Sequence, residues 1–316
     1  GRTRVHSAVA DDKMAAARFM LEAGSSPNTT DDRGATPLQD AAAAGKVEMV
    51  QLLLAHQAAP NARNADGRTA LQLALDAKHT DVVKVLMANG ADPAVALADP
   101  NARLYAAAAT GDDTMVALLL KNGANPDQTD KAGRSPLFHA GSAAVAQLLL
   151  DAGADPGAKD RQGRTPLHCA RSGAVVRLLV TAGAKPETHD RKGLTPLYVA
   201  AEAGRSDVVK ALIESGAEIN AVNDHGARAI DYAARAGHAG VIEVFLDAGV
   251  KIDTGAALDH AAANGHCAVV KLLLENGADA TKIWPLQSAI KGNHEDIVLQ
   301  LLRAGTPPKT TLGWDQ

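Results

Sequence analysis

The chain has 316 residues, of which 46% are hydrophobic, 22% are charged and only 3% are aromatic. A core with so few aromatic residues must be filled by Ala, Leu and Val, which favours closely packed helices. The charge content argues against disorder, and the formal net charge of −4 argues against general binding to nucleic acid. No apolar run approaches the roughly 20 residues that a membrane helix requires.

One sequence unit recurs along the chain. It begins with Thr or Ser before Pro-Leu, as at Thr36, and continues with an Ala-rich segment. The hydroxyl residue supplies an N-cap and Pro fits the first turn, so this segment predicts a short first helix. An aliphatic run predicts a second helix, and a Gly-Ala pair ends the unit. The pairs at Gly90, Gly123 and Gly153 are 33 and 30 residues apart, and such periods are typical of a solenoid.

Residues Thr165–Ala170 read TPLHCA and resemble the T-P-L-H-x-A signature of the ankyrin repeat. About ten units keep the Leu of this signature or an equivalent residue, at Val5, Leu38, Leu71, Leu104, Leu137, Leu167, Leu197, Ile230, Leu258 and Leu286. The resemblance implies an all-α ankyrin-repeat solenoid, with stacked helix-turn-helix units, β-hairpin turns and a concave groove that usually binds proteins. We expect a single solenoid over residues 1–306 and a C-terminal tail over 307–316.

The fifth and sixth units are shortened at the end of the first helix. Leu137 to Leu148 spans 11 residues, whereas Leu104 to Leu118 spans 14. This loss predicts a notch in the middle of the concave face.

The hairpins beside the predicted notch are rich in cations, and each also carries one Asp at its turn, to which we assign a structural capping role: Asp130, Asp160 and Asp190. A local positive surface of this kind is a candidate protein-binding site. Solvated turn tips also favour charge, so the alternative is an ordinary surface. The candidate site, called here the central ridge and notch, comprises Lys131, Arg134, Phe138, Arg161, Arg164, Arg171, Arg191 and Lys192.

The last two units depart from the pattern in another way. Ile230, Leu258 and Leu286 are each 28 residues apart, which predicts hairpins that lack projecting fingers. We expect Trp284 or Trp314 to cover the last layer, because a solenoid must hide its end. The alternative is that a tryptophan anchors a ligand.

The residues that could bind a metal or act in catalysis do not have the geometry that these roles require. His238, His266 and His294 recur every 28 residues, but ligands on neighbouring helix layers lie about 10 Å apart, whereas zinc needs ligands about 2 Å away. His168 and Cys169 are adjacent on a helix and point about 100° apart, and Cys169 is expected to face the core. No catalytic or nucleotide-binding motif occurs. We therefore expect no enzyme activity, metal or cofactor, and we expect free thiols.

The expected function is protein binding through the concave face and the hairpin tips. The expected partner is another protein with an acidic or loop-presenting surface, not nucleic acid or a membrane, and the chain is expected to act as a monomer. One interpretation is an inhibitor or self-protection factor for an enzyme such as a hydrolase. The alternative is a scaffold or a secreted bacterial effector that captures a host protein. The Ala-rich composition favours a bacterial sequence. The compartment stays open: cytoplasmic, or periplasmic or secreted if a leader preceded Gly1.

Overall fold

The computed structural model of this chain describes residues 2–92, 100–251 and 256–306. The chain divides into two compact units, one formed by Gly1–Ala107 with Asp112–Asn125 and the other by Ala108–Gly111 with Pro126–Gln316. Both consist of helix-turn-helix pairs, which confirms the all-α class. The prediction of one solenoid over residues 1–306 stays a prediction, as does the tail, which lies outside the described residues.

The first unit contains short first helices alternating with second helices of nine residues. The helix Pro100–Thr110 crosses the boundary between the units. In chain order the helices are Arg4–Ala10, Met14–Glu22, Pro37–Ala43, Val47–Ala55, Ala70–Asp76, Thr80–Ala88, Pro100–Thr110 and Asp113–Lys121.

The second unit has the same alternation, except that it opens with a 3₁₀ helix. In chain order its helices are the 3₁₀ helix Pro136–His139 and the α-helices Ala143–Asp151, Pro166–Cys169, Gly173–Thr181, Pro196–Glu202, Ser206–Glu214, Ala229–Ala236, Ala239–Asp247, Ala256–Ala263, Cys267–Glu275, Ile283–Lys291 and Glu295–Arg303.

The first helices begin as the sequence predicts. The Thr36 hydroxyl accepts a hydrogen bond from the Gln39 N–H, while the Gln39 amide oxygen accepts from the Thr36 N–H at 2.8 Å. This reciprocal capping satisfies two N–H groups that the helix cannot bond internally. All ten of the Leu-equivalent residues are buried, with at most 3% exposed surface. The repeated Leu position is therefore the core position of each first helix.

The turn histidines have a structural role. His238 Nε2 lies 2.9 Å from the Glu202 carbonyl oxygen, and His266 Nε2 lies 2.9 Å from the Arg235 carbonyl oxygen. Each ring thus bonds the end of the first helix in the preceding repeat. Gly237 has φ +80°, and a Cβ there would lie 2.5 Å from His266 Nδ1, so glycine suits both the backbone and the packed ring. The described residues include no cluster of three or more potential metal ligands.

The structure describes part of the C-terminal region in which the sequence predicts shortened hairpins and a covering tryptophan. The helices Cys267–Glu275 and Ile283–Lys291 are joined by a short connection, which confirms that the last hairpin lacks a projecting finger. The preceding hairpin includes residues 252–255, which lie outside the described residues. Trp284 is 65% exposed, so it does not cover the last layer, and Trp314 also lies outside the described part of the chain.

Candidate functional site

The same turn, closed by an Asp side chain, recurs in the three hairpins of the central ridge and notch. The Asp130 carboxylate accepts hydrogen bonds from the N–H groups of Ala132 at 2.7 Å and Arg134 at 3.0 Å. Asp160 and Asp190 make the same pair of bonds to the second and fourth residues after them. These side chains close the turn in the manner of an Asx turn. The structural role predicted for the three aspartates is confirmed.

Two of the predicted contact residues belong to these turns. Arg134 Nη2 lies 2.8 Å from Asp130 Oδ2, and Arg164 Nη2 lies 2.8 Å from Asp160 Oδ2. Burial acts to raise the pKa of Asp130, but the Arg134 N–H and guanidinium and the Ala132 N–H outweigh it and lower that pKa to about 2. The carboxylate is therefore ionised at neutral pH and compensates the charge of Arg134.

Phe138 does not lie where the sequence interpretation put it. Its side chain is only 5% exposed, in the 3₁₀ helix Pro136–His139. It occupies the repeat position of His168, which is 2% exposed in the next unit. Side chains at this position turn into the packed layer, so Phe138 is a core residue and we leave it out of the contact surface.

The other five predicted residues are exposed: Lys131, Arg161, Arg171, Arg191 and Lys192. None of them forms an ion pair within residues 100–251. Two further cations of the same hairpins, Lys159 and Lys185, are exposed in the same way. These cations are therefore exposed without an ion pair within residues 100–251, although Asp127, Asp155 and Glu187 lie in the same hairpins.

The hairpin tips are joined by backbone hydrogen bonds. The Arg161 N–H donates to the Ala132 carbonyl at 2.9 Å, and the Arg191 N–H donates to the Gln162 carbonyl at 2.9 Å. Each bond links one hairpin to the next, so the charged side chains project from a connected backbone.

The first helices are shortened where the sequence predicts, and the notch itself stays a prediction. Pro136–His139 and Pro166–Cys169 have 4 residues each, against 7 in Pro196–Glu202. Arg205 Nη1 donates to the Ala170 carbonyl at 3.0 Å, at the end of the shortened helix Pro166–Cys169. Sequence reasoning missed Arg205, although it precedes its second helix as His238 does in the next unit.

A family model for ankyrin repeats, built of three copies, matches residues 5–96, 104–190, 170–256 and 218–284. The chain belongs to the ankyrin-repeat family. Comparison with curated proteins gave no match. Ankyrin repeats are protein–protein interaction modules and are typically non-enzymatic, and no catalytic family was identified. None of the helices in residues 2–92, 100–251 and 256–306 combines the length and apolarity needed to cross a membrane.

Two potentially reactive side chains of the ankyrin-repeat chain lie beside the cations. Burial raises the pKa of the Cys169 thiol, so the thiol stays protonated and a poor nucleophile at neutral pH. Burial, with help from Arg134, lowers the pKa of His139, although Asp130 opposes this. Cys169 is half-buried rather than fully in the core, and Cys169 and Cys267 are free thiols, as expected.

His168 links its helix to the next hairpin. Its Nδ1 accepts from the Thr165 N–H at 3.0 Å, and its Nε2 lies 3.1 Å from the Leu194 carbonyl oxygen. The neutral ring with its proton on Nε2 satisfies both contacts. Burial lowers the pKa of His168, while the bond to Leu194 opposes the shift.

The pKa of His168 makes stability depend on pH. Because the pKa is lower in the folded chain than in the unfolded one, the unfolded chain binds more protons as pH falls below about 6.5. The folded chain should therefore lose stability between pH 7 and pH 5. His168→Gln is expected to reduce this loss, because Gln39 already makes the equivalent bonds in another repeat. His139 should contribute the rest.

Urea unfolding at pH 7 and pH 5 measures this effect. The His139→Gln variant serves as a comparison for the second histidine whose pKa is lowered. If His168→Gln loses as much stability as the wild type on acidification, protonation of His168 is not the cause.

Proposed function

We propose that the central ridge and notch binds a partner protein through an acidic surface. The observation that carries the proposal is the set of exposed cations without an ion pair in residues 100–251, namely Lys131, Lys159, Arg161, Arg171, Lys185, Arg191 and Lys192. Complementary charge on a partner raises the association rate and fixes the register of the complex.

The flanking positions support a local rather than a general positive surface. Asp224 is exposed at the turn position that Arg191 occupies in the preceding hairpin. The whole chain is slightly acidic, with a net charge of −4. The positive charge is therefore confined to a local patch, and the chain as a whole does not attract a polyanion. The only aromatic residue among the eight predicted positions, Phe138, is buried, so the surface has no stacking platform for nucleic acid bases.

The backbone of the site favours binding without rearrangement. The tips are hydrogen-bonded to one another, and the turns are closed by aspartate side chains that accept backbone N–H bonds. A surface that is ordered before binding loses little conformational entropy in the complex. The cost of binding is then chiefly the immobilisation of the long Lys and Arg side chains.

We further propose that the partner is an enzyme, such as a hydrolase, that the chain inhibits. The scaffold or effector function is the alternative from the sequence. Both use the same contact, but only an inhibitor lowers the activity of the captured protein.

Affinity capture from a native lysate of the source organism, with mass spectrometry, tests the proposal. With the wild-type chain as bait, we expect one protein with an acidic surface to be enriched and to be released as salt is raised. Its activity is then measured with and without the chain. Retention that does not change with salt would contradict an electrostatic contact, and unchanged activity would favour the scaffold.

A further inference from the structure

The residues at one equivalent position of four successive hairpin tips follow a pattern of charge. The residue directly after the Asp that opens the turn is Lys131, Arg161 and Arg191 in three successive hairpins, each 30 residues from the last. In the next hairpin Asn223 replaces the Asp and makes the same bonds, accepting from the N–H groups of the second and fourth residues after it at 3.0 Å. The residue that follows is Asp224. These four residues, called here the tip column, read positive, positive, positive, negative.

The tip column has a regular spacing. The backbone bonds from Arg161 to Ala132 and from Arg191 to Gln162 keep the first three tips in the same register, whereas among the described residues the Asp224 N–H makes no equivalent backbone bond. Packed helices in neighbouring repeats are about 8–10 Å apart, so the charges recur at about that interval. All four side chains are exposed.

An α-helix matches this interval better than a strand does. Residues seven apart in a helix are about 10.5 Å apart and lie within about 20° of the same face. Residues on one face of a strand recur at about 6.6 Å or about 13 Å, which falls on either side of the interval. A partner helix can therefore face each tip with one residue, whereas a strand cannot.

Asp224 makes the two ends of the tip column opposite in charge, so a partner segment is expected to bind in one orientation. The Asp224 carboxylate lies beside the preceding hairpin, since a Cβ on Gly193 would be 3.3 Å from Asp224 Oδ2. An acidic residue placed opposite Asp224 would be repelled, and a basic one would be attracted. A helix with acidic residues along its whole face would therefore bind less well than one that ends in a basic residue.

We propose that the partner docks an acidic α-helix along the tip column. The helix carries Asp or Glu at three positions seven residues apart, opposite Lys131, Arg161 and Arg191, and Lys or Arg one further heptad along, opposite Asp224. This inference rests on the proposed function and specifies its partner.

Synthetic helical peptides test the proposal against the full chain. The first peptide has three Glu and one Lys at heptad spacing, and the second has the same composition with these residues spread around the helix. Equal helicity is verified by circular dichroism, and affinity is measured by fluorescence anisotropy. We expect the heptad peptide to bind at least about tenfold more tightly. Equal affinity, or no binding of either peptide at about 1 mM, would overturn the helix proposal.

A third peptide, with Glu in place of the terminal Lys, tests the direction. The wild-type chain should prefer the terminal Lys, and Asp224→Lys should reverse that preference. An unchanged preference would remove Asp224 from the contact.

The failures of the two proposals are distinguishable. If the peptides bind alike but Arg161→Glu with Arg191→Glu abolishes capture of the natural partner, the helix is wrong and the acidic partner stands. If that double variant still captures the partner, the proposed function fails as well.

Discussion

The chain with both Arg161→Glu and Arg191→Glu is expected to lose its captured partner while keeping its helicity and its unfolding midpoint. Both side chains are exposed and form no ion pair within residues 100–251, so their reversal should leave the fold intact. Opposite an acidic surface, two attractive contacts become repulsive, which costs several kcal/mol. We expect the affinity to fall at least about a hundredfold.

The matched control is Lys210→Glu with Lys251→Glu. These lysines are also exposed and lie outside the central ridge and notch. The control changes the net charge by the same amount and should retain the partner. Affinity, far-ultraviolet circular dichroism and urea unfolding are measured on all three chains. Equal losses in both variants would indicate a response to overall charge, and retention by the Arg161 and Arg191 variant would make the ridge ordinary solvated surface.

Phe138→Ala is expected to lower the free energy of unfolding by about 3–5 kcal/mol. The ring is 5% exposed, so its removal takes away apolar burial and leaves a cavity in a packed layer. The folded variant should bind the partner with nearly unchanged affinity, because the side chain does not reach the surface. Urea unfolding gives the stability, and binding is measured under conditions in which the variant is folded.

Arg161→Ala is the complementary change. It should alter stability by no more than about 0.5 kcal/mol, because the side chain is exposed, and should weaken binding. A stable Phe138→Ala chain with weakened binding would instead restore Phe138 to the contact surface. The two variants therefore separate a core position from a contact position within the same candidate site.

The sequence prediction of the aspartate role succeeded because its cause is local. Asp130 closes its turn with N–H groups two and four residues away, which depends on nearby atoms alone. His168 likewise bonds the N–H of Thr165, three residues before it. Its second bond, to the Leu194 carbonyl 26 residues further along the chain, depends on the packing of the next hairpin.

The sequence identified the cations of the hairpins but not which of them are paired, because charge composition does not reveal pairing. Arg134 and Arg161 are both cations of basic hairpins, yet the first lies against Asp130 and the second is exposed. The fold of the turn brings Asp130 and Arg134 together, four residues apart. Arg205 was missed for a related reason, since its partner carbonyl at Ala170 is 35 residues away in the chain.

The sequence by itself determined the repeat, the all-α class and the shortened helices, because N-caps, buried Leu positions and left-handed glycines act over a few residues. The tertiary structure decided that Phe138 is core, that Arg134 and Arg164 stabilise turns, and that Trp284 is exposed. The burial of Phe138 and the exposure of Trp284 depend on what neighbouring repeats bring within contact distance, whereas Arg134 and Arg164 are paired within their own turns. Turn geometry and packing between repeats together therefore decide which basic residues of the hairpins stay exposed without an ion pair within residues 100–251.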